Sequence, residues 1–131
     1  MIPVDDGGTI PEYFYPLVDS TMNRAKSLAA GDDPLPNYVY AADLPIFRVT
    51  AAHQWAGRGR RGSGWIDVPG ESTTTTIAIK RGGEFDPADR NPGTLALRSA
   101  AAVVEALLAV AEEERAIEIK WPNDVLIGGG K

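Results

Sequence analysis

Three arginines fall within four positions, Arg58, Arg60 and Arg61, set among Gly57, Gly59, Gly62 and Gly64 in a 131-residue chain whose formal charge is −5. Such a concentration of positive charge in an acidic chain points to a local anion site. An extended backbone sends positions i and i+2 to one side, so Arg58 and Arg60 face one way and Arg61 the other. The glycines let the main chain come close to a ligand and offer their N–H groups to anions. Paired guanidinium groups can hold two mutually repelling anions together, a carboxylate and a phosphate for example. Acyl adenylation is one reaction with that need. A solvated basic linker has the same composition. Trp55 and Trp65, which flank the loop, suit a pocket wall or a base-stacking platform better than a linker.

Other chemistries lack material. Gly57-Arg58-Gly59-Arg60-Arg61-Gly62 has the spacing G-x-G-x-x-G, but a dinucleotide fingerprint needs a helix opening at its third glycine. Here Ser63-Gly64-Trp65 and then Pro69-Gly70 continue as loop or strand. A G-x-S-x-G elbow is missing, because Arg61 stands where its first glycine would be. With no cysteine, thiolate zinc sites and disulfide frameworks are excluded, and with one histidine, His53, hydrolytic triads have almost no material. His53 reads as a structural residue. The net negative charge argues against general nucleic-acid affinity.

The elements that must position the loop read as an α+β fold, a mixed β-sheet packed by helices. Residues 1–12 read as a polar entry arm. Tyr13-Phe14-Tyr15 and Leu17-Val18 form an extended aromatic segment broken by Pro16. Thr21 to Ala30 is a short helix with Ser20 as N-cap and Gly31 as its stop. Tyr38–Ala42 and Ile46–Ala51 read as two strands, and Thr73–Lys80 as a β-branched strand. Leu95–Glu114 reads as the longest helix, apolar on most sides and so largely buried; with Arg98 and Glu105 inside it, it is expected in the core and not in a membrane. Ile117, Ile119 and Trp121 alternate with Glu118 and Lys120 as a half-buried strand that Pro122 ends. Asn123-Asp124 turns the chain into Val125-Leu126-Ile127, and Gly128-Gly129-Gly130 reads as a hairpin turn whose returning strand is missing, so the chain is expected to be a fragment of a domain. One folding unit is expected, with no secretory signal at the N-terminus and a cytoplasmic setting.

Taken together, Asp19-Ser20-Thr21, the loop from Gln54 to Trp65, and Lys120-Trp121-Pro122-Asn123-Asp124 resemble, in order and spacing, the biotin protein ligases. The resemblance covers residues 19–131 and implies the N-terminal portion of a class II synthetase-like biotin/lipoate ligase catalytic domain, incomplete at its C-terminus, with residues 1–18 as an arm and first strand. It implies an enzyme that joins biotin to ATP as biotinyl-5′-adenylate, with Mg2+ accompanying the ATP, and transfers biotin to a lysine of the biotin carboxyl carrier domain of a biotin-dependent carboxylase. On the matching positions Ser20, Thr21, Gln54, Arg58, Gly59, Arg60 and Lys131 would contact biotin. Arg60, Trp65, Asn123 and Asp124 would contact ATP, with Trp65 against the adenine. Arg58, Arg60 and Lys131 would be catalytic, Lys131 by neutralising charge as the carboxylate and α-phosphate approach. No protein side chain is assigned as a resident metal ligand.

Two positions depart from the family pattern. Met22 stands where asparagine is usual, and Ser63 replaces a frequent third arginine. The N-terminal segment is too short for the helix-turn-helix some members carry, so no DNA-binding domain is expected. The residues alone leave two other readings open: an inactive fragment of such a ligase, and a non-catalytic module whose Arg/Gly loop and tryptophans hold single-stranded nucleic acid.

Overall fold

The N-terminal segment, expected as a polar arm, contributes a strand. Ile2–Val4 (β1) runs antiparallel to Glu12–Tyr15 (β2), with Ile2 opposite Phe14 and Val4 opposite Glu12. The computed structural model describes residues 2–4 (backbone), 10–32, 41–59, 63–83, 86–87, 90–111 and 116–129. The chain divides into two compact units, residues 1–86 and 87–131.

In the first unit β2 is followed by helix Thr21–Ala30 (α1) and then by Ile46–Ala51 (β3), which lies parallel to β2 with Glu12 opposite Arg48 and Tyr15 opposite Ala51. Parallel neighbours require a crossover, and α1 supplies it. Thr74–Ile79 (β4) completes the sheet antiparallel to β3, giving the order β1-β2-β3-β4, a mixed sheet as expected. The Tyr38–Ala42 strand is not formed where it can be followed. Ala41–Asp43 is a 3-10 turn, and residues 38–40 lie outside the described ones. Leu44-Pro45 follows directly, and the Leu44 N–H bonds back to the Ala41 carbonyl, which closes a turn where a strand would need a ladder.

Strand alternation selects the core. Phe47, Val49 and Ala51 of β3 are buried, while Ile46, Arg48 and Thr50 take the opposite face. On α1 the buried positions Thr21, Ala25 and Leu28 form one stripe at helical spacing. Tyr13, Ala25, Leu28, Ala41, Phe47 and Val49 pack together, with the Tyr13 and Phe47 rings edge to face at 5.7 Å. Each large side chain buried here contributes about 1.5–3 kcal/mol. Across the other face Arg48 pairs with Glu12 at 3.0 Å.

Helix α1 ends as expected. Gly31 is left-handed at φ 75°, and its N–H and that of Asp32 bond to Leu28 and Ser27 carbonyls. Its start differs. Ser20 has the extended backbone of an N-cap but its hydroxyl makes no capping bond; the side chain is buried instead.

In the second unit helix Pro92–Val110 (α2) starts three residues earlier than expected. Pro92 takes the first turn and the Asn91 side chain accepts from Gly93 N at 2.9 Å, a combination that fixes a helix start. Its acidic tail, residues 112–114, lies outside the described ones. The expectation of a largely buried helix is not met, since Ala100 alone of α2 is buried. Among the described residues of this unit a two-stranded hairpin accompanies it: Ile117–Lys120 (β5) and Asp124–Ile127 (β6), antiparallel with Lys120 opposite Asp124. By length and composition alone α2 is long and apolar enough to cross a membrane. Pro122 stops β5 as expected, residues 121–123 make the turn, and β6 pairs back on β5; Gly128 and Gly129 follow β6, and the rest of the expected glycine turn, Gly130, lies outside the described residues.

Candidate functional site

Ser20 and Thr21 open the crossover helix α1, and Gln54 lies in the segment after β3. The backbone brings them together. Val18 and Gln54 form a parallel bridge, Val18 N bonds to His53 O, Trp55 N to Val18 O, and Ala56 N to Asp19 O. Gln54 is thereby turned inward, and its Oε1 accepts from Thr21 N in a long bond of 3.4 Å. Its own N–H donates to the buried Asp67 carboxylate at 3.0 Å, and Asp67 Oδ1 lies 3.0 Å from His53 Nδ1. On the other side Thr21 Oγ1 shares a hydrogen bond with Thr76 Oγ1 at 2.9 Å, tying α1 to β4.

The glycine-arginine segment is a small hairpin. Arg58 and Gly64 form an antiparallel bridge, Gly59 N bonds to Ser63 O, and Trp65 N to Gly57 O. Gly57 leaves room for its protein neighbours, because a Cβ there would lie 2.6 Å from Gln54 Nε2 and 3.1 Å from Trp65 Cβ. A Cβ on Gly59 would meet Ser63 Oγ at 2.6 Å.

Between these pieces lies an open cleft of about 240 Å³, lined by Ser20, Thr21, Met22, Gln54, Arg58, Trp65 and the threonines at 73–76. Three stretches, residues 20–22, 54–65 and 73–76, thus meet at one helix start. Among the lining residues Arg58 alone is charged, and the positive end of α1 adds to its field. The hydroxyls and carboxamide supply both donors and acceptors. Ligand pockets run from about 300 Å³ upward, so the described cleft suits one small polar molecule with an anionic group.

Five residues expected at the site, Ser20, Thr21, Gln54, Arg58 and Trp65, line this cleft. Gly59 stands beside it in the hairpin. Trp55, paired in the sequence reading with Trp65 as a pocket wall, is 69% exposed and takes no part in the lining. Arg60 and Lys131 lie outside the described residues. Asn123 and Asp124 belong to the second unit, Asn123 in the turn and Asp124 at the start of β6. Trp121 and Pro122, expected within a supporting strand, are part of that turn, because Pro122 has no N–H for the ladder. Among the described residues no group of three His, Cys, Asp or Glu side chains comes together to hold a metal ion.

A profile of the biotin/lipoate A/B protein ligase family matches residues 45–131. The chain belongs to this family. It is 39% identical over 83 residues to a biotin–[acetyl-CoA-carboxylase] ligase of Paracoccus denitrificans, covering 63% of this chain and 32% of that protein. A ligase of the same name from Mycobacterium tuberculosis is 33% identical over 110 residues, 82% of this chain and 40% of that protein. The bifunctional ligase/repressor BirA of Bacillus subtilis is 31% identical over 120 residues, 90% of this chain and 31% of that protein. The chain therefore spans roughly a third of the length of these biotin ligase relatives.

Within the family frame, the residues the sequence did not single out are the threonines at 73–76, Asp67 and Asn23. Four consecutive threonines read as a strand, yet β4 alternation turns Thr74 and Thr76 toward α1 while Thr75 meets Thr50 on the other face at 3.2 Å. The signal was present, since a hydroxyl at every second position of a strand beside the loop marks a polar wall.

Proposed function

We propose that this chain supplies the biotin-binding part of the catalytic domain of an ATP-dependent biotin protein ligase, working in the cytoplasm. The observation that carries the reading is the meeting of Ser20, Thr21, Gln54, Arg58 and Trp65 around one cleft. Biotin's ureido ring offers one carbonyl acceptor and two N–H donors, which the Ser20 and Thr21 hydroxyls and the Gln54 carboxamide match. Its carboxylate then turns toward Arg58, and the family resemblance assigns Arg60 to the same charge.

In the reaction a carboxylate oxygen of biotin attacks the α-phosphorus of ATP, the new P–O bond forms and pyrophosphate leaves. Two anions must approach, so guanidinium groups fixed at the mouth lower the barrier electrostatically. Trp65, half exposed beside Arg58, offers a face for the adenine. By the family resemblance Asn123 and Asp124 would serve the nucleotide, and Lys131 would neutralise charge during adenylation. In the second step the amine of an acceptor lysine on a biotin carboxyl carrier domain attacks the acyl carbonyl, AMP departs and the amine gives up a proton. Magnesium would arrive on the ATP phosphates and keep much of its water shell.

The test is biotin-dependent exchange of pyrophosphate into ATP, measured on the protein as its own cell produces it. Exchange that requires biotin supports the reading. Its absence, together with oligonucleotide binding that weakens steeply with salt, would replace it by a nucleic-acid-binding module.

A further inference from the structure

Asn23 lies on the first turn of α1, four residues after Asp19, and both ends of its carboxamide are used. Its Nδ2 donates to Asp19 Oδ2, and its Oδ1 accepts from Arg58 Nη2. No other neutral side chain of that size serves both partners, because a carboxylate needs a donor and a guanidinium needs an acceptor. The Asp19 main chain is itself tied down by Ala56 N, so the amide stands on a fixed post.

We infer that Asn23 is a positioning residue that holds Arg58 at the mouth of the cleft without neutralising it. The contrast lies in the same unit. Arg48 pairs directly with the Glu12 carboxylate at 3.0 Å, and its charge is spent within the protein. Arg58 is separated from the nearby Asp19 carboxylate by a neutral amide. Its charge stays available to an incoming carboxylate or phosphate, while its position is fixed before the ligand arrives, which spares part of the ordering cost on binding. This inference rests on the cleft being the biotin and adenylate site.

Two readouts on the full chain test it. The first needs no ligand: the rate of tryptic cleavage after Arg58, with cleavage after Arg24 and Arg48 as internal references. Asn23→Ala removes the anchor and is expected to speed cleavage after Arg58 about tenfold, the loss of one hydrogen bond to a charged group. Asn23→Asp keeps an acceptor for Arg58 and is expected to preserve the protection. The second readout is biotin-dependent pyrophosphate exchange. Asn23→Ala is expected to raise KM for ATP and biotin by about tenfold with a smaller change in kcat. Asn23→Asp, which pairs Arg58 with a carboxylate, is expected to do more damage than Asn23→Ala. In an Arg58→Ala background Asn23→Ala is expected to add nothing further.

Unchanged protection in Asn23→Ala overturns the inference whatever the exchange assay shows. So does an active wild type whose exchange kinetics ignore Asn23→Ala, and an Asn23→Asp variant with normal exchange overturns the charge-keeping role. Lost protection with no biotin-dependent exchange in the wild type would remove the ligase reading and leave Asn23 as the anchor of Arg58.

Discussion

The Asp67 carboxylate accepts the Gln54 backbone N–H at 3.0 Å from a buried position, and so holds from below the residue whose side chain reaches the start of α1. Asp67→Ala leaves that buried N–H without an acceptor, which costs about 1–3 kcal/mol. Asp67→Asn retains an oxygen there and is expected to lose less. Urea unfolding of the two variants against wild type measures the difference, and equal losses would show that the bond to Gln54 N is not what Asp67 contributes.

Gly57 is a second point where packing and binding meet. Gly57→Ala drives a methyl group to 2.6 Å from Gln54 Nε2, the far end of a flexible side chain. The carboxamide can swing aside, so the fold is expected to survive. Its bond to Thr21 N would be lost, and biotin affinity is expected to fall about tenfold, the worth of roughly one good hydrogen bond to the ligand. Calorimetric titration with biotin checks this, and unchanged affinity would take Gln54 out of the biotin contacts.

Arg58→Ala removes the charged group of the described cleft. Pyrophosphate exchange is expected to drop by about 10²–10³, the usual effect of deleting one preorganised group at developing charge. Circular dichroism is expected to be unchanged, because Arg58 is exposed. Wild-type exchange in Arg58→Ala would remove it from the chemistry.

Much of this was legible in the residues. The α1 boundaries followed from Ser20 and Gly31, β3 from its alternation, and five cleft residues from two short motifs. What escaped depended on distant partners. Ser20 was read as a cap because its type and place fit one, but its side chain is buried beside the cleft and makes no capping bond. Asn23 and Asp67 escaped because their partners in the site are distant, Arg58 lying 35 positions from Asn23 and Gln54 13 positions from Asp67. The two strands β5 and β6 followed from alternation and from Pro122, but the turn between them falls at residues 121–123 and not at Asn123-Asp124, because pairing of Lys120 with Asp124 decides the register.

Acid sensitivity follows from Glu12 and Asp19. The Thr50 hydroxyl has the largest influence in holding the Glu12 carboxyl below its ordinary 4.5; burial opposes it, and the Arg48 guanidinium adds to the lowering. Asn23, then the Ser20 backbone N–H, hold Asp19 below its ordinary 3.8. A carboxylate depressed in the folded state stabilises fully above its unfolded value and loses that contribution as pH falls through the folded one. Stability is therefore expected to be flat above about pH 5 and to fall progressively below it. Thr50→Val removes the largest influence on Glu12 while leaving its charge, so the fall is expected to become shallower and the plateau lower. Thermal unfolding midpoints between about pH 2.5 and 6 read both. A Thr50→Val curve parallel to wild type throughout would show that Glu12 owes its low value to Arg48 instead.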